Sequence, residues 1–572
     1  MRILYFLLLF NWIALVYATP ILVDPQDRFS PITAKQGMVV ASESYATQAS
    51  LAVLKQGGNA VDAAVTLGFA MAVTAPRAGN LGGGGFMLIY NAETQKVLAI
   101  DYREKAPALA YKDMYLDENG GVVSKRSKFT HLAAGVPGTV AGLALALEKY
   151  GTISLQRALQ PAIQLATDGF PMPATLANAI KKAKHLQQFA GSRAIFMKPD
   201  GSFYQAGELF KQSDLAKTLT LIAEQGTSAF YTGIIADQIV TEMKTNQGII
   251  RKADLAAYQA PIRQPIQGNY RGYDVFSMSP PSSGGVHIVQ LLNMLENFDI
   301  KQTGHNSAQT IHIISEAMKR AYADRAKYLG DTDFVSVPLK GLTDKAYAKQ
   351  LTTQFDLQKA TPSKDITEGQ PAIYESPETT HFSVVDKQGN AVANTYTLNF
   401  SFGSGITVAG AGFLLNNEMD DFSAKPNVPN AYGLIGGTAN AVEPHKRMLS
   451  SMSPTIVLKD NKPFLVTGSP GGSRIITTVL QVISNVVDHE MNIQEAVNAA
   501  RVHHQWLPDS LFIENGLSPD TINLLKEKGH TIETSRTMGA ANSILIQHTD
   551  SNERILHGAA DPRRPEGIVS SF

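Results

Sequence analysis

Thr379, His381, Ser383, Thr395, Thr397 and Asn399 occupy alternate positions of two short runs separated by the turn-forming stretch Asp386 to Asn390. Side chains alternate across a strand, so a hairpin turning near Gln388 sets all six on one face. Thr397 then lies across from Thr379, and Thr395 across from His381. The opposite face takes Phe382, Val384, Val392, Tyr396 and Leu398. On this pattern alone the hairpin reads first as a sheet edge with a solvated polar face. Position adds the chemistry, because Thr379 opens the first run directly after a polar stretch, where a chain cut makes it a new N-terminus.

A threonine hydroxyl needs a base to become a nucleophile, and the α-amine of an N-terminal threonine is one such base. That amine titrates at about 7.7–8.0, so part of it is unprotonated at neutral pH. Before the cut no such amine exists. Attack of the Thr379 hydroxyl on the Glu378 carbonyl gives an ester by an N-to-O acyl shift, and hydrolysis of the ester frees the amine. Thr397 stands where it can hydrogen-bond and orient that hydroxyl. The tetrahedral intermediate also needs donors for its oxyanion. Gly468-Ser469-Pro470-Gly471-Gly472-Ser473 reads as a tight loop between a strand, Phe464 to Thr467, and a helix, Arg474 to Val487. The amides of Gly471 and Gly472 then sit at a helix N-terminus, where partial positive charge collects. An ordinary glycine turn is the alternative for this loop.

Composition removes other chemistries. With 572 residues, 44% of them hydrophobic and 17% charged, the chain is a packed globular protein with a substantial core. Lys plus Arg and Asp plus Glu both number 50, so no net field favours nucleic acid or anionic membranes. The absence of Cys excludes thiol nucleophiles, disulfides and thiolate metal sites. His503 and His504 are adjacent, and no His-Glu-x-x-His is present, so no metal site is supported and no cofactor is expected. Ser469 on its turn resembles a hydrolase elbow, but that pattern needs Gly where Thr467 stands.

The elements that must position these groups are partly legible. Met1-Arg2, the apolar run Ile3 to Val16 and Val16-Tyr17-Ala18 read as a signal peptide cleaved after Ala18, with an uncleaved anchor as the alternative. No later stretch is long and apolar enough to span a bilayer, so the mature protein is expected to be exported, periplasmic or secreted. Ala46 to Lys55 is helical, and Asn59 caps a second helix with Asp62 in its first turn. Gly82 to Gly85 runs from helix into strand, the reverse of a phosphate loop, and reads as close backbone packing ahead of the strand Phe86 to Tyr90. Ser213 is expected to cap a helix ending at Gly226, and Ala317 to Leu329 to be helical. Lys340 to Tyr374 is polar, without apolar period, and reads as a long loop or linker. No internal repeat is visible.

Taken together, the hairpin run Thr379 to Asp386, Thr395 to Asn399, Leu415-Asn416-Asn417-Glu418-Met419-Asp420-Asp421-Phe422, Leu449-Ser450-Ser451-Met452-Ser453-Pro454 and Gly468 to Arg474 resemble the small subunit of bacterial γ-glutamyltransferases. The Gly-rich loop, Asp101-Tyr102-Arg103-Glu104, Pro280-Pro281-Ser282-Ser283-Gly284-Gly285 and Ala323-Asp324-Arg325 resemble the large subunit. The resemblance implies a four-layer αββα sandwich of the N-terminal-nucleophile hydrolase type, an α/β (α+β) fold. It implies a signal peptide 1–18, a large fragment 19–378 and a small fragment 379–572, joined as a heterodimer after self-cleavage between Glu378 and Thr379. Implied substrates are glutathione and other γ-glutamyl compounds, with water, amino acids or peptides as acceptors.

By the same resemblance Thr379 is the nucleophile, and Gly471 and Gly472 form the oxyanion hole. Arg103 with Ser450 and Ser451 holds the substrate's α-carboxylate, while Asn399, Glu418 and Asp421 hold its α-ammonium. Pro429 to Gly437 resembles a lid loop, with Tyr432 over the site. Met448 stands where the family pattern has Pro. Within the fold, a cephalosporin acylase or poly-γ-glutamate depolymerase is the alternative, and a secreted binding protein that keeps the pocket without processing is another.

Overall fold

The computed structural model describes residues 30–371, 381–426, 428–535 and 537–572. The signal-like segment 1–18, and Glu378 and Thr379 with the cut between them, lie outside these residues.

Two antiparallel seven-stranded sheets form the centre. From edge to edge the first runs Ile568–Ser571, Met38–Ala41, Phe382–Val385, Ala391–Thr397, Gly84–Asn91, Lys96–Asp101 and Ile262–Arg263. The second runs Ile32–Ala34, Arg554–Ala559, Ser543–His548, Lys462–Thr467, Thr455–Lys459, Tyr273–Ser277 and Ile266–Tyr270. Period-two alternation sorts each strand's side chains between two cores. Met38 and Val40, Phe86 and Leu88 point between the sheets and meet Ile456, Val466 and Ile544 from the second. Val39 and Ala41, Met87 and Ile89 point outward onto helices that include Ala60–Thr74 and Thr139–Tyr150. The outer face of the second sheet, with Val457, Leu465 and Leu545, is covered by Gly284–Leu295, Ala308–Tyr328 and Ile475–Val487. The result is the expected four-layer αββα sandwich.

The hairpin has the expected register: Phe382 pairs with Asn394, Ser383 with Ala393 and Val385 with Ala391. Gly389 takes φ 96° in the turn, and Asp386 closes it by accepting from the N–H of Gly389 and of Asn390, each at 2.9 Å. The other Asp386 oxygen accepts from Ala60 N at 2.9 Å, so one carboxylate fastens the turn to a helix N-terminus. Asn59 and Asp62 form a capping box on that same helix. All five expected apolar residues of the hairpin lie in the outer core.

The polar face is where the edge-hairpin reading fails. The two strands are third and fourth of seven, and His381, Ser383 and Thr395 are buried facing the second sheet. Ser383 Oγ donates to Asn542 O at 2.9 Å, and His381 Nε2 lies 2.6 Å from Ser383 Oγ. These groups are therefore satisfied inside the protein. Two further expectations are corrected. Within the supposed linker, Leu339–Leu342 and Lys345–Thr352 are helices, the latter capped by Asp344 and burying Tyr347, Ala348 and Leu351; two turns are too short for a period to register in sequence. Ser213 is the first residue of its helix, and Gln212 occupies the cap position.

Among the described residues no helix is long and apolar enough to cross a membrane. The Gly82–Gly85 loop packs as expected, since a Cβ on Gly83 would collide with the carbonyl oxygen of Thr397 and one on Gly82 with that of Leu414. Gly83→Ala should therefore lower unfolding free energy by about 1–3 kcal/mol, read by denaturant titration, and an unchanged midpoint would mean the backbone has room to move.

Candidate active site

A cavity of about 300 Å³ opens at the end of the hairpin. Thr397, Asn399, Glu418, Asp421, Ser450 and Ser451 border it, as do Tyr432, Gly471 and Gly472. Nine of the residues singled out in the sequence thus line one space, and Arg103 lies directly beneath Glu418 and Asp421. Glu378 and Thr379 fall outside the described residues.

Arg103 follows the strand Lys96–Asp101, whose last residue is held by Arg263 Nε at 2.7 Å and itself accepts from Arg103 N at 3.0 Å. The Arg103 side chain is fully buried. It donates from Nη1 to Glu418 Oε2 at 2.6 Å, from Nη2 to Asp421 Oδ2 at 2.7 Å, and from Nε to Met448 O at 3.3 Å. Met448, the departure from the family pattern, thus contributes through its carbonyl. A third carboxylate, Glu104, stands 3.6 Å from Arg103 Nη1, and neither of its oxygens has a hydrogen-bond partner among the described residues. Burial pushes the Asp421 carboxyl up to about 6 and Glu104 up to about 8, against the opposing pull of Arg103. Arg103 thus faces the carboxyl groups of Glu418, Asp421 and Glu104, and Arg325 also acts on Asp421.

Glu418 and Asp421 reach the cavity from a single 3₁₀ turn, Glu418–Asp421. Asn416 sets that turn by accepting from Glu418 N at 3.0 Å while donating to Gly82 O and Gly135 O at 2.8 Å each. Ser450 and Ser451 are held by residues from earlier in the chain. Ser283 Oγ donates to Ser450 O at 2.9 Å, and Arg325 Nη2 lies 3.4 Å from both Ser450 O and Ser451 Oγ. Asn399 sits at φ 75°, a left-handed conformation that asparagine tolerates, and donates to Asn417 O at 3.0 Å. Thr397 Oγ1 accepts from Asn399 N at 2.8 Å, which leaves its own proton available to a partner.

On the facing wall, Gly471 and Gly472 adopt φ 143° and 57° ahead of the helix Ile475–Val487, conformations that favour glycine. Neither N–H is given to an acceptor among the described residues. Tyr432 covers this loop closely enough that a Cβ on Gly472 would strike its ring, and its hydroxyl donates to Asn399 O at 2.9 Å. Phe400 meets the Tyr432 ring edge-on, with centroids 5.7 Å apart. His381 also borders the cavity, but burial pushes its imidazole down to about 3, so it is neutral and sets geometry without carrying charge. The sequence motif containing Arg325 assigned that residue no role, and Glu104 was not foreseen as a buried partner of Arg103; its signal was a carboxylate adjacent to Arg103 in Asp101-Tyr102-Arg103-Glu104.

Two antiparallel sheets between helical layers, with a polar hairpin end opening on a cavity beside uncommitted glycine amides, define the N-terminal-nucleophile hydrolase class. The sequence model of the Gamma-glutamyltranspeptidase family matches residues 46–571. Over 549 residues the chain is 56% identical to the glutathione hydrolase proenzyme of Escherichia coli K12, covering 96% of this chain and 94% of that protein. The crystal structure of Helicobacter pylori gamma-glutamyltranspeptidase superposes with a TM-score of 0.58 at 48% identity, over 59% of this chain and 96% of that one. Cephalosporin acylase from Bacillus halodurans superposes with a TM-score of 0.85 at 27% identity, over 96% and 99%. The chain belongs to the gamma-glutamyltranspeptidase family.

Removing Arg103 strands buried carboxylates. Arg103→Met is expected to cost about 3–5 kcal/mol of stability in denaturant unfolding at neutral pH, and a loss under about 1 kcal/mol would show that the cluster rearranges freely.

Proposed function

We propose that the protein is an exported, self-cleaving γ-glutamyltransferase that takes the γ-glutamyl group from glutathione and related amides. The observation that carries this reading is the buried Arg103–Glu418–Asp421 cluster under Ser450 and Ser451, a complement to an amino-acid head group. The hairpin read in the sequence would set Thr379 against Thr397, whose hydroxyl accepts from Asn399 N and keeps its own proton for a partner.

In this reading the chain loses residues 1–18 on export and is cut between Glu378 and Thr379 into fragments 19–378 and 379–572. The Thr379 amine takes the hydroxyl proton as Oγ1 attacks the γ-carbonyl carbon, and Gly471 and Gly472 donate to the oxyanion. Collapse breaks the amide C–N bond, the leaving amine receives the proton, and a γ-glutamyl–Thr379 ester remains. Water or the amine of an amino acid or peptide then attacks that ester and releases the threonine hydroxyl. Asn399, Glu418 and Asp421 hold the α-ammonium, while Arg103, Ser450 and Ser451 hold the α-carboxylate. The lid residue Tyr432 covers the acyl site. An acylase acting on a plain carboxylic side chain has no use for this pairing of carboxylates and guanidinium, and the 56% identity to a glutathione hydrolase proenzyme supports the same choice.

Thr379→Ala should leave a single uncut chain with no release of anilide from a γ-glutamyl anilide, whereas the native protein gives two fragments, the smaller beginning at Thr379 by N-terminal sequencing; a different N-terminus would move the nucleophile. The raised Asp421 carboxyl gains a proton as pH falls through about 6 and so loses the charge that attracts an ammonium. The inhibition constant of free glutamate should accordingly rise about tenfold per pH unit below about 6, and Asp421→Asn should flatten that limb.

A further inference from the structure

The cavity has a second charged wall. Arg77, just beyond the helix Ala60–Thr74, and Arg564 and Glu566, from the turn before the strand Ile568–Ser571, border it alongside Phe400 and Ser401. This group is separate from the Arg103 cluster: Arg77 feels Arg564 and Glu566, whereas Asp421 feels Arg103, Asp420 and Arg325.

The wall is not satisfied internally. Among the described residues the Arg77 guanidinium makes one hydrogen bond, from Nε to Ser401 Oγ at 3.3 Å, neither Arg77 nor Arg564 forms an ion pair, and the buried Glu566 Oε1 has no hydrogen-bond partner. Neighbouring charges, by contrast, are committed. Arg563 binds Glu514 at 2.8 Å and Asp561 at 3.2 Å, and Glu43 accepts from Tyr45 N, Ala46 N and Thr74 Oγ1 at 2.9, 2.7 and 2.6 Å. Two mutually repelling guanidiniums, without an ion-pair partner among the described residues, therefore border the cavity beside the carboxylates of Glu566 and Glu43.

We propose that Arg77 and Arg564 hold the carboxylate of the amine-bearing partner in the transfer, the amino acid or short peptide that leaves the γ-glutamyl group or accepts it, with Glu566 as their counter-charge. The inference rests on the functional reading above and names the subsite it left open. A guanidinium fork suits a carboxylate. The amine of the partner must lie at the acyl carbon, which the proposed function sets beside Gly471 and Gly472, and Arg77 and Arg564 border the same cavity, where its carboxylate can reach them. The two ends of one donor thus meet opposite charge: an ammonium at Glu418 and Asp421, and a terminal carboxylate at Arg77 and Arg564.

The test compares glycylglycine with glycylglycinamide as acceptors for the processed protein, with a γ-glutamyl anilide as donor. The acceptor KM should be about tenfold higher for the amide, and in Arg77→Ala and Arg564→Ala that ratio should fall to about two or less. Arg564 is exposed, so its replacement does not threaten the fold, and the native comparison needs no variant. No discrimination by the native protein, or a ratio preserved in both variants while anilide is still released, overturns the subsite alone. A protein that never releases anilide overturns the functional reading and the subsite with it.

Discussion

The contact between one buried guanidinium and two carboxylates governs this architecture. Charges of this kind are costly to remove from water unless each is matched, and Arg103, Glu418 and Asp421 match one another across two distant parts of the chain. The requirement propagates outward. Arg103 must be delivered at a fixed height by the end of a strand, hence the Asp101–Arg263 pair at 2.7 Å. Glu418 and Asp421 must share one tight turn, hence Asn416, which ties that turn to Gly82 and Gly135. Gly83 in turn lies so close to the hairpin at Thr397, and Gly82 to Leu414, that no side chain fits at either. The glycine loop, the acidic turn and the hairpin are therefore one mechanical unit.

The second constraint is that the polar face of the hairpin is internal. A sandwich normally fills the space between its sheets with apolar side chains, and most of this one does so through Phe86, Leu88, Ile456 and Val466. Toward the cavity the filling changes to His381, Ser383 and Thr395, each with a partner within hydrogen-bond reach. A polar patch so placed is rigid, because any shift of register breaks several buried hydrogen bonds at once. Rigidity there is what the proposed nucleophile, Thr379, would require.

The hairpin was legible because its period is two and its turn residues are unambiguous, so register and both faces followed from spacing alone. What spacing could not supply was the second sheet: nothing local says whether a polar face meets water or Asn542. The helix Lys345–Thr352 escaped for the opposite reason, since its burial rests on Tyr347, Ala348 and Leu351 over only two turns. Site residues brought by motif were found together, while those brought by topology alone were not. Nothing in the sequence joins Arg77 to Arg564, and the closure of the last strand against Met38–Ala41 brings them to one wall.

That closure also decides what a cut before Thr379 can do to the fold. In the first sheet Met38–Ala41 lies between Phe382–Val385 and Ile568–Ser571, and Gly84–Asn91 pairs with Ala391–Thr397, so the ladder crosses the cleavage point repeatedly. In the second, Ile32–Ala34 pairs with Arg554–Ala559, and Tyr273–Ser277 with Thr455–Lys459. All three of the larger cores draw on both fragments. Neither fragment would own a complete seven-stranded sheet or any of these three cores, so hydrolysis of one peptide bond there would leave the central hydrogen-bond ladders and the buried apolar surface in place. The ends are held independently as well: Gly369 N donates to Asp324 at 2.8 Å on one side, and His381 is buried against Ser383 on the other. Cleavage in this fold releases an amine without releasing a subunit, which is the condition under which a chain can generate its own nucleophile and keep the pocket that the nucleophile serves.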